Sequence, residues 1–385
     1  GWPEFTRENK PWSYWWWMGN AVDDENLTAL LEQYQGANFG GVHIVPIYGV
    51  KGEEERYIDY LSKPWMARLA HTVNEAQRLG MGVDMTTGTG WPFGGPMVTP
   101  AEASTQLLMK SYSLNAGEIL DELLPEGRLM VIQARNDTGE MIDITDNVKD
   151  RRLTWMPAEG NWRLYVLAAV PTGQKVKRAA PGGRGLALNP YSRPAMLHYL
   201  RTFDKAFSDY AAPLPRGQYH DSFEYFRANW MDDFFQEFNA RRGYNLRDYL
   251  PAFFGEGDKD TVSRIKSDYR RTVSDLHIDY IQTWVEWAHG KGCLTRNQAH
   301  GAPANLLDTY AAADIAETEI FGPSGFPIPG LRIDKRFNNE PPDPLALKFA
   351  SSATHVAGHP LCSSETCTWL GEHFEVALSQ VKPEV

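Results

Sequence analysis

"MGVDMTTGTGWPFGG", residues 81–95, opens as an apolar strand and runs into a glycine-rich loop carrying Asp84, Thr86, Thr87 and Trp91. The preceding "KPWMARLAHTVNEAQRLG" (63–80) repeats apolar residues at i, i+3 and i+4 and stops at Gly80, the pattern of an amphipathic helix with a glycine terminus. A helix that feeds a strand, and a strand that ends in a polar loop, form one unit of a parallel α/β sheet. A phosphate-binding reading of the glycines needs GxxxxGK[ST], and the loop has no lysine. It reads either as a rigid turn or as a tight rim that brings backbone near a ligand, with Trp91 as an aromatic platform.

The same rhythm extends in both directions. "YWWWMGN" (14–20) leads into "DDENLTALLEQYQGA", a helix with an acidic first turn, and "GGVHIVPIYG" (40–49) is strand-like. Further on come "YHDSFEYF" (219–226), "CLTRNQAHG" (293–301), "AADIAETEIFG" (312–322) and "PLCSSETCTWLG" (360–371), with helical stretches at 269–292 and 347–358. Strands are expected at 14–18, 41–47, 81–86, 217–223, 293–297, 313–318 and 360–365. Together with the helices they predict a (β/α)8 TIM-type barrel lacking its eighth strand in this chain, which reads as a portion of a longer polypeptide. Residues 103–175 break the rhythm with alternating apolar positions and turn dipeptides at Asn136-Asp137 and Glu159-Gly160. They read as an antiparallel β insertion after strand three, returning through 178–190. The division is then 1–102 for the first part of the barrel, 103–175 for the β-rich insertion and 176–385 for the continuation.

Composition narrows the function. The 385 residues are 42% hydrophobic and 23% charged, with a formal net charge of −11 and no long basic run. That argues against nucleic acid or an anionic membrane surface as the main partner. No apolar run reaches the roughly 18–20 residues of a membrane helix. No signal peptide is read in "GWPEFTRENKPW", and a chain opening on Gly1 reads as processed or excised. Cys293, Cys362 and Cys367 have neither zinc nor disulfide spacing and read as small hydrophobes. Many of the 13 Trp, 17 Tyr and 17 Phe stand beside Gly, Asn or Asp, which suits either a core or sugar rings that stack and hydrogen-bond.

In an α/β barrel the chemistry sits at the C-terminal strand ends. Asn20 follows strand one and Tyr48 strand two; Asp84, Thr86 and Thr87 close strand three, and Asp221 and Glu224 strand four. Asn297, Gln298 and His300 close strand five, Glu317 and Glu319 strand six, and Ser364 and Glu365 strand seven, with Trp91 and Trp369 in the following loops. Glutamates on three strand ends suggest glycoside cleavage, in which one carboxyl protonates the leaving oxygen while the other attacks the anomeric carbon or activates water. Tyr225 and Phe226 would keep Glu224 protonated by desolvation, with His220 and Asp221 holding it or the sugar. Asn297 and Gln298 could equally bond loop backbone, and His300 could cap a helix.

"WWWMGNAVD" (15–23), "PIYGVKG" (46–52), "MGVDMTTGTGWPFGGP" (81–96), "GQKVKRAAPGG" (173–183), "YHDSFEYF", "TRNQAHGAPANLLDTY" (295–310), "DIAETEIFG" (314–322) and "SSETCTWLGEHF" (363–374) together resemble glycoside hydrolase family 106, the α-L-rhamnosidases. The resemblance implies a hydrolase that inverts configuration, uses an active-site calcium and takes terminal α-L-rhamnose on plant or algal glycans. It further implies export to the periplasm or medium, and more domains in the same polypeptide. Glu224 would be the general acid and Glu365 the general base. Glu319 would be a third carboxylate touching sugar or metal, with Asp221, Asn297, His300, Asp84, Asn20, Trp91 and Trp369 as further sugar contacts. No DxDxDG-type loop points to the calcium ligands. Two alternatives stay open: a retaining, β-galactosidase-like barrel glycosidase, in which the carboxyls would stand about 5–5.5 Å apart rather than roughly 6.5–9.5 Å, and a non-catalytic carbohydrate-binding barrel. A metal-dependent amidohydrolase would need His-x-His on strand one, where the sequence has "WWWMG".

Overall fold

The computed structural model describes residues 5–321 and 344–368. In chain order the elements are β1 (Trp12–Met18), α1 (Asp24–Gly36), β2 (Gly41–Ile47), α2 (Lys63–Arg78) and β3 (Gly82–Thr86), followed by β4 (Thr105–Asn115), β5 (Arg128–Asn136), β6 (Met141–Asp143) and β7 (Asn161–Pro171). Then come α3 (Arg193–Phe207), β8 (Gly217–His220), α4 (Phe234–Arg242), α5 (Lys259–Gly290), β9 (Leu294–Asn297), α6 (Leu306–Ala311), β10 (Ile315–Phe321), α7 (Pro344–Ala357) and β11 (Leu361–Thr368). Local chemistry sets the helix starts: Asp23, Ser62, Ser192 and Asp258 each accept a first-turn backbone N–H, and Pro64 and Pro194 occupy first turns that need no donor.

Seven strands form one parallel sheet in the order β1-β2-β3-β8-β9-β10-β11. Alternation along each strand splits its side chains between two faces. On β1, Trp15 and Trp17 turn to the helices, where Trp17 meets Trp65 edge-on at 5.7 Å. Tyr14 takes the other face and meets His43, Tyr219, Glu317 and Glu365. Contact between Tyr14 on one edge strand and Glu365 on the other requires the sheet to curl around a shared interior, as a half-barrel. That interior is tight at its base: a Cβ on Gly217 would lie 2.7 Å from Asp84 Oδ1, so only glycine admits the carboxylate there.

β3 and β8 are neighbours in this sheet, and the chain between them builds a four-stranded antiparallel sheet in the order β4-β7-β5-β6. Its two faces serve two cores. Tyr165, Leu167 and Ala169 of β7 join the main core, while Leu164 and Val166 pack with Leu114, Ile132 and Trp162 in a second one. Beside shifts of up to three residues at the ends of β1, β10 and β11, two departures from expectation bear on the site. The strand expected over 217–223 ends at His220, because the Asp221 carboxylate takes the Ser222 N–H at 2.8 Å and Phe223 N–H donates to His300 O at 3.1 Å, drawing the chain off the ladder. Within 178–190, Leu186–Ala187 pair with Gly94–Gly95. Among the described residues no helix is long and apolar enough to cross a membrane.

Candidate active site

The interior residues form linked tiers. At the base Asp84 receives Arg216 through Nε at 2.9 Å and Nη2 at 2.6 Å, and Arg216 lies 4.0 Å from the Trp12 ring centre. Above it, the Arg296 guanidinium pairs with Glu317 Oε2 and donates to His43 Nδ1 at 2.7 Å. His43 Nδ1 is thus an acceptor, so Nε2 bears the hydrogen and donates to Thr86 Oγ1 at 3.0 Å. Burial, with the Arg296 charge adding to it, holds His43 well below the ordinary imidazole range and therefore neutral. Glu317 also accepts from Ser363 Oγ at 2.7 Å, Gln298 Nε2 at 3.1 Å and Tyr14 at 2.8 Å. A buried carboxylate so fully paired anchors the interior.

The rim lies above these tiers. Glu319 and Glu365 face each other in register on β10 and β11. Glu365 Oε2 accepts from Gln298 Nε2 at 2.6 Å and shares with Glu317 the single proton of the Tyr14 hydroxyl, 3.0 Å away. Burial, then Glu317 and Glu365, pushes the Tyr14 phenol well above its usual range, so it stays a donor. Half-buried Asp221 projects into the same space, two residues beyond Tyr219 on the same face. Desolvation first, then the charges of Glu365, Glu319 and Glu317, lifts its carboxyl well above the ordinary range, against the Ser222 N–H bond. The setting therefore favours the protonated form of Asp221. His300 Nε2 sits 3.0 Å from Glu319 Oε2.

Glu224 has a different setting from the one expected. Its Oε2 is 2.8 Å from Lys177 Nζ, and Lys177 stands over the Trp91 ring at 5.7 Å. Because the chain has already left the sheet, Tyr225 turns into the core, where its hydroxyl meets Tyr280 at 2.9 Å, and Phe226 turns to solvent. The neighbour of Glu224 is an ammonium rather than an aromatic ring. His220 points away from Glu224, buried against Phe93 and Trp284, with Nδ1 bonded to Asn297 Oδ1 at 2.8 Å. Burial, with His277 adding to it, lowers His220 to about 3.

The remaining expected contacts separate. Trp91 is on the rim, its backbone exchanging hydrogen bonds with Lys177 at 3.1 and 2.7 Å. Asn297 is buried on the helix side with His220, and Asn20 is buried in a left-handed turn, donating to Ile58 O at 2.9 Å. Asp84 lies at the base between two guanidinium groups. Trp369 lies outside the described residues. Tyr14, Arg296, His43 and Lys177 escaped the sequence reading. Strand alternation marks Tyr14 as sharing no face with Trp15 and Trp17, but no sequence signal joins it to residues three hundred positions away. For calcium, which takes about six to eight oxygens, the fit is poor. The rim carboxylates are engaged by Gln298, Tyr14, His300 and Lys177, and no three His, Cys, Asp or Glu side chains are grouped for a metal among the described residues.

A curled parallel sheet with carboxylates gathered at its C-terminal strand ends is the framework of an α/β-barrel glycoside hydrolase. The chain belongs to the alpha-L-rhamnosidase family, glycoside hydrolase family 106, whose sequence pattern matches residues 4–138 and 128–385. A rhamnosidase from Novosphingobium sp. PP1Y superposes with a TM-score of 0.77 at 16% identity, over 98% of this chain and 53% of that one. A Formosa agariphila protein named "Putative beta-glucuronidase" is 25% identical across 93% of this chain and 34% of its own length. The chain thus spans about a third of the one relative and about half of the other.

Proposed function

We propose that this chain is the catalytic region of an exported enzyme that removes terminal α-L-rhamnose from plant or algal glycans with inversion. The observation that carries the reading is Glu365, held at the rim by two neutral donors, Gln298 and Tyr14. As general base it takes a proton from water while the water oxygen bonds to the anomeric carbon. The bond from that carbon to the leaving oxygen breaks, and Glu224 supplies the proton this oxygen needs. Asp221 is the second candidate donor, because it projects into the same space and its surroundings favour the protonated carboxyl. Glu319 and His300 stand at the same rim to meet sugar hydroxyls. Calcium stays a proposal carried by the resemblance, and no step here passes through it.

The test is proton NMR of the sugar released from α-L-rhamnosyl donors, with and without EDTA and added calcium, with 4-nitrophenyl β-D-glucuronide as a control. First-formed β-L-rhamnose supports the reading; α-L-rhamnose makes the enzyme retaining, and cleavage of the glucuronide alone replaces the substrate. Glu365→Gln should lose about three orders of magnitude on every donor. Loss of the acid should show chiefly with poor leaving groups, so comparing Glu224→Gln with Asp221→Asn on sugar and 4-nitrophenyl donors identifies the proton donor.

A further inference from the structure

Residues 160–203 contain no Asp or Glu, although the chain as a whole carries a net −11. The segment includes Lys175, Arg178 and Arg184, which with Lys51 line a cavity of about 990 Å3. Among the described residues none of these four cations is paired with a carboxylate. The acid on the wall, Glu54, accepts from Gly52 N–H at 2.9 Å. Four unneutralised cations around one concavity repel each other and raise the local concentration of anions.

The cavity opens on the catalytic face. Tyr48 on its wall directly follows β2, and the Arg178 guanidinium lies between the rings of Tyr48, at 5.2 Å, and Trp91, at 5.1 Å. Lys177, the residue before, holds Glu224. The wall is built rather than loose. Tyr48 and Arg178 both have left-handed backbone, at φ 40° and 60°, and Tyr48 N–H donates to Arg178 O at 3.0 Å. Bulky residues take that conformation only where surrounding structure enforces it. Nothing in the tiers of the interior needs these charges, and a neutral sugar would not call for them.

We propose that this cavity binds an anionic sugar, bearing a carboxylate or a sulfate ester, next to the residue being cleaved. Arg178 and Arg184 present forks that suit either oxyanion, and Tyr48 and Tyr57 on the wall are the aromatic side chains that a ring would meet. The proposal rests on the hydrolase reading for its position beside the scissile bond, but binding can be measured separately.

Two arms test it. In the first, titration calorimetry compares a tetragalacturonate, a sulfated tetrasaccharide of carrageenan type and neutral maltotetraose. Tight binding of one or both anions, lost in Lys51→Gln/Arg184→Gln and in 0.5 M salt, is expected, and the better anion identifies the source. Equal binding of the neutral sugar, or retention in the variant, overturns the proposal. In the second, rhamnosyl disaccharides whose leaving sugar is glucose, glucuronate or glucose 6-sulfate are hydrolysed alongside 4-nitrophenyl α-L-rhamnoside. The acidic leaving sugars should show KM about ten-fold lower with kcat similar, the effect of two or three exposed charge pairs. Arg178→Gln and the double variant should erase that advantage and leave the nitrophenyl donor unaffected. Failure to cleave any rhamnoside sinks the hydrolase reading while the calorimetry still decides the subsite.

Discussion

The Tyr14 hydroxyl, on the first strand of the parallel sheet, lies 3.0 Å from Glu365 Oε2 on the last strand and 2.8 Å from Glu317 Oε1 between them in the fold. A phenol has one proton, so it serves one carboxylate at a time, and Tyr219, 2.9 Å away, completes its shell. Tyr14 is a positioning residue for Glu365. Hydrogen bonds to charged groups are worth roughly 1.5–3 kcal/mol, so Tyr14→Phe should lower kcat roughly 10- to 100-fold with KM nearly unchanged. Steady-state kinetics on a rhamnosyl donor check this; unaltered kcat would remove Tyr14 from the mechanism.

The Asp221 carboxyl is held well above its unfolded range by the fold, chiefly by desolvation. Between those two values the folded state binds the extra proton, so stability contributed by Asp221 is present at low pH and is lost as pH rises. Asp221→Asn should match the parent near pH 4 and become relatively more stable above it, by at most about 1.4 kcal/mol per pH unit. Denaturant midpoints across pH 4–8 give the answer, and a constant gap would contradict an upward shift of Asp221.

His43, His220 and His277 carry the opposite sign. All three are buried and neutral, His43 well below the usual range, His220 lowered to about 3 and His277 to about 4, in each case chiefly by burial. Unfolding lets them take up protons, so stability falls as pH drops below about 6.5, by about 4 kcal/mol per pH unit for the three against about 1.4 from Asp221 in the other direction. Urea titrations at pH 7, 6 and 5 should show the decline; a flat profile would mean the histidines are charged in the fold.

Asp84 tests the division between base and rim. Replacing it by Asn leaves the charge of Arg216 in a confined site without its partner, which costs about 3–5 kcal/mol. The variant should unfold well below the parent in denaturant while KM for a small rhamnoside holds. Normal stability with a raised KM would return Asp84 to sugar contact.

β2 and β3 were readable almost to the residue because strands covered on both faces are apolar runs bounded by glycine. The four-stranded sheet announced itself by alternation. Alternation also holds the reason some site residues were misjudged. Tyr219 and Asp221 share one face and His220 the other; Arg296 and Gln298 share one face and Asn297 the other. Strand-end position alone ignores that parity. The setting of Glu224 was hidden differently, since its partner Lys177 is 47 positions earlier and arrives through the other sheet.

Ser104 and Thr172 stand side by side, Thr172 N–H donating to Ser104 O at 2.8 Å, so the chain enters and leaves the four-stranded sheet through a single doorway. Just past it, the Gln174 side chain donates to Glu224 O at 2.5 Å and accepts the Phe226 N–H at 2.7 Å. A crossover between homologous genes at 104 and 172 would exchange the sheet as a cassette and leave this handshake parental. Moving the second junction beyond 184 would bring in Gln174, Lys175, Arg178 and Arg184 while their partners Glu224 and Phe226, and Lys51 of the cavity wall, stay parental. Recombination along this chain thus has two settings twelve residues apart, at 172 and 184, one that changes the scaffold alone and one that also changes three of the four cations of the cavity.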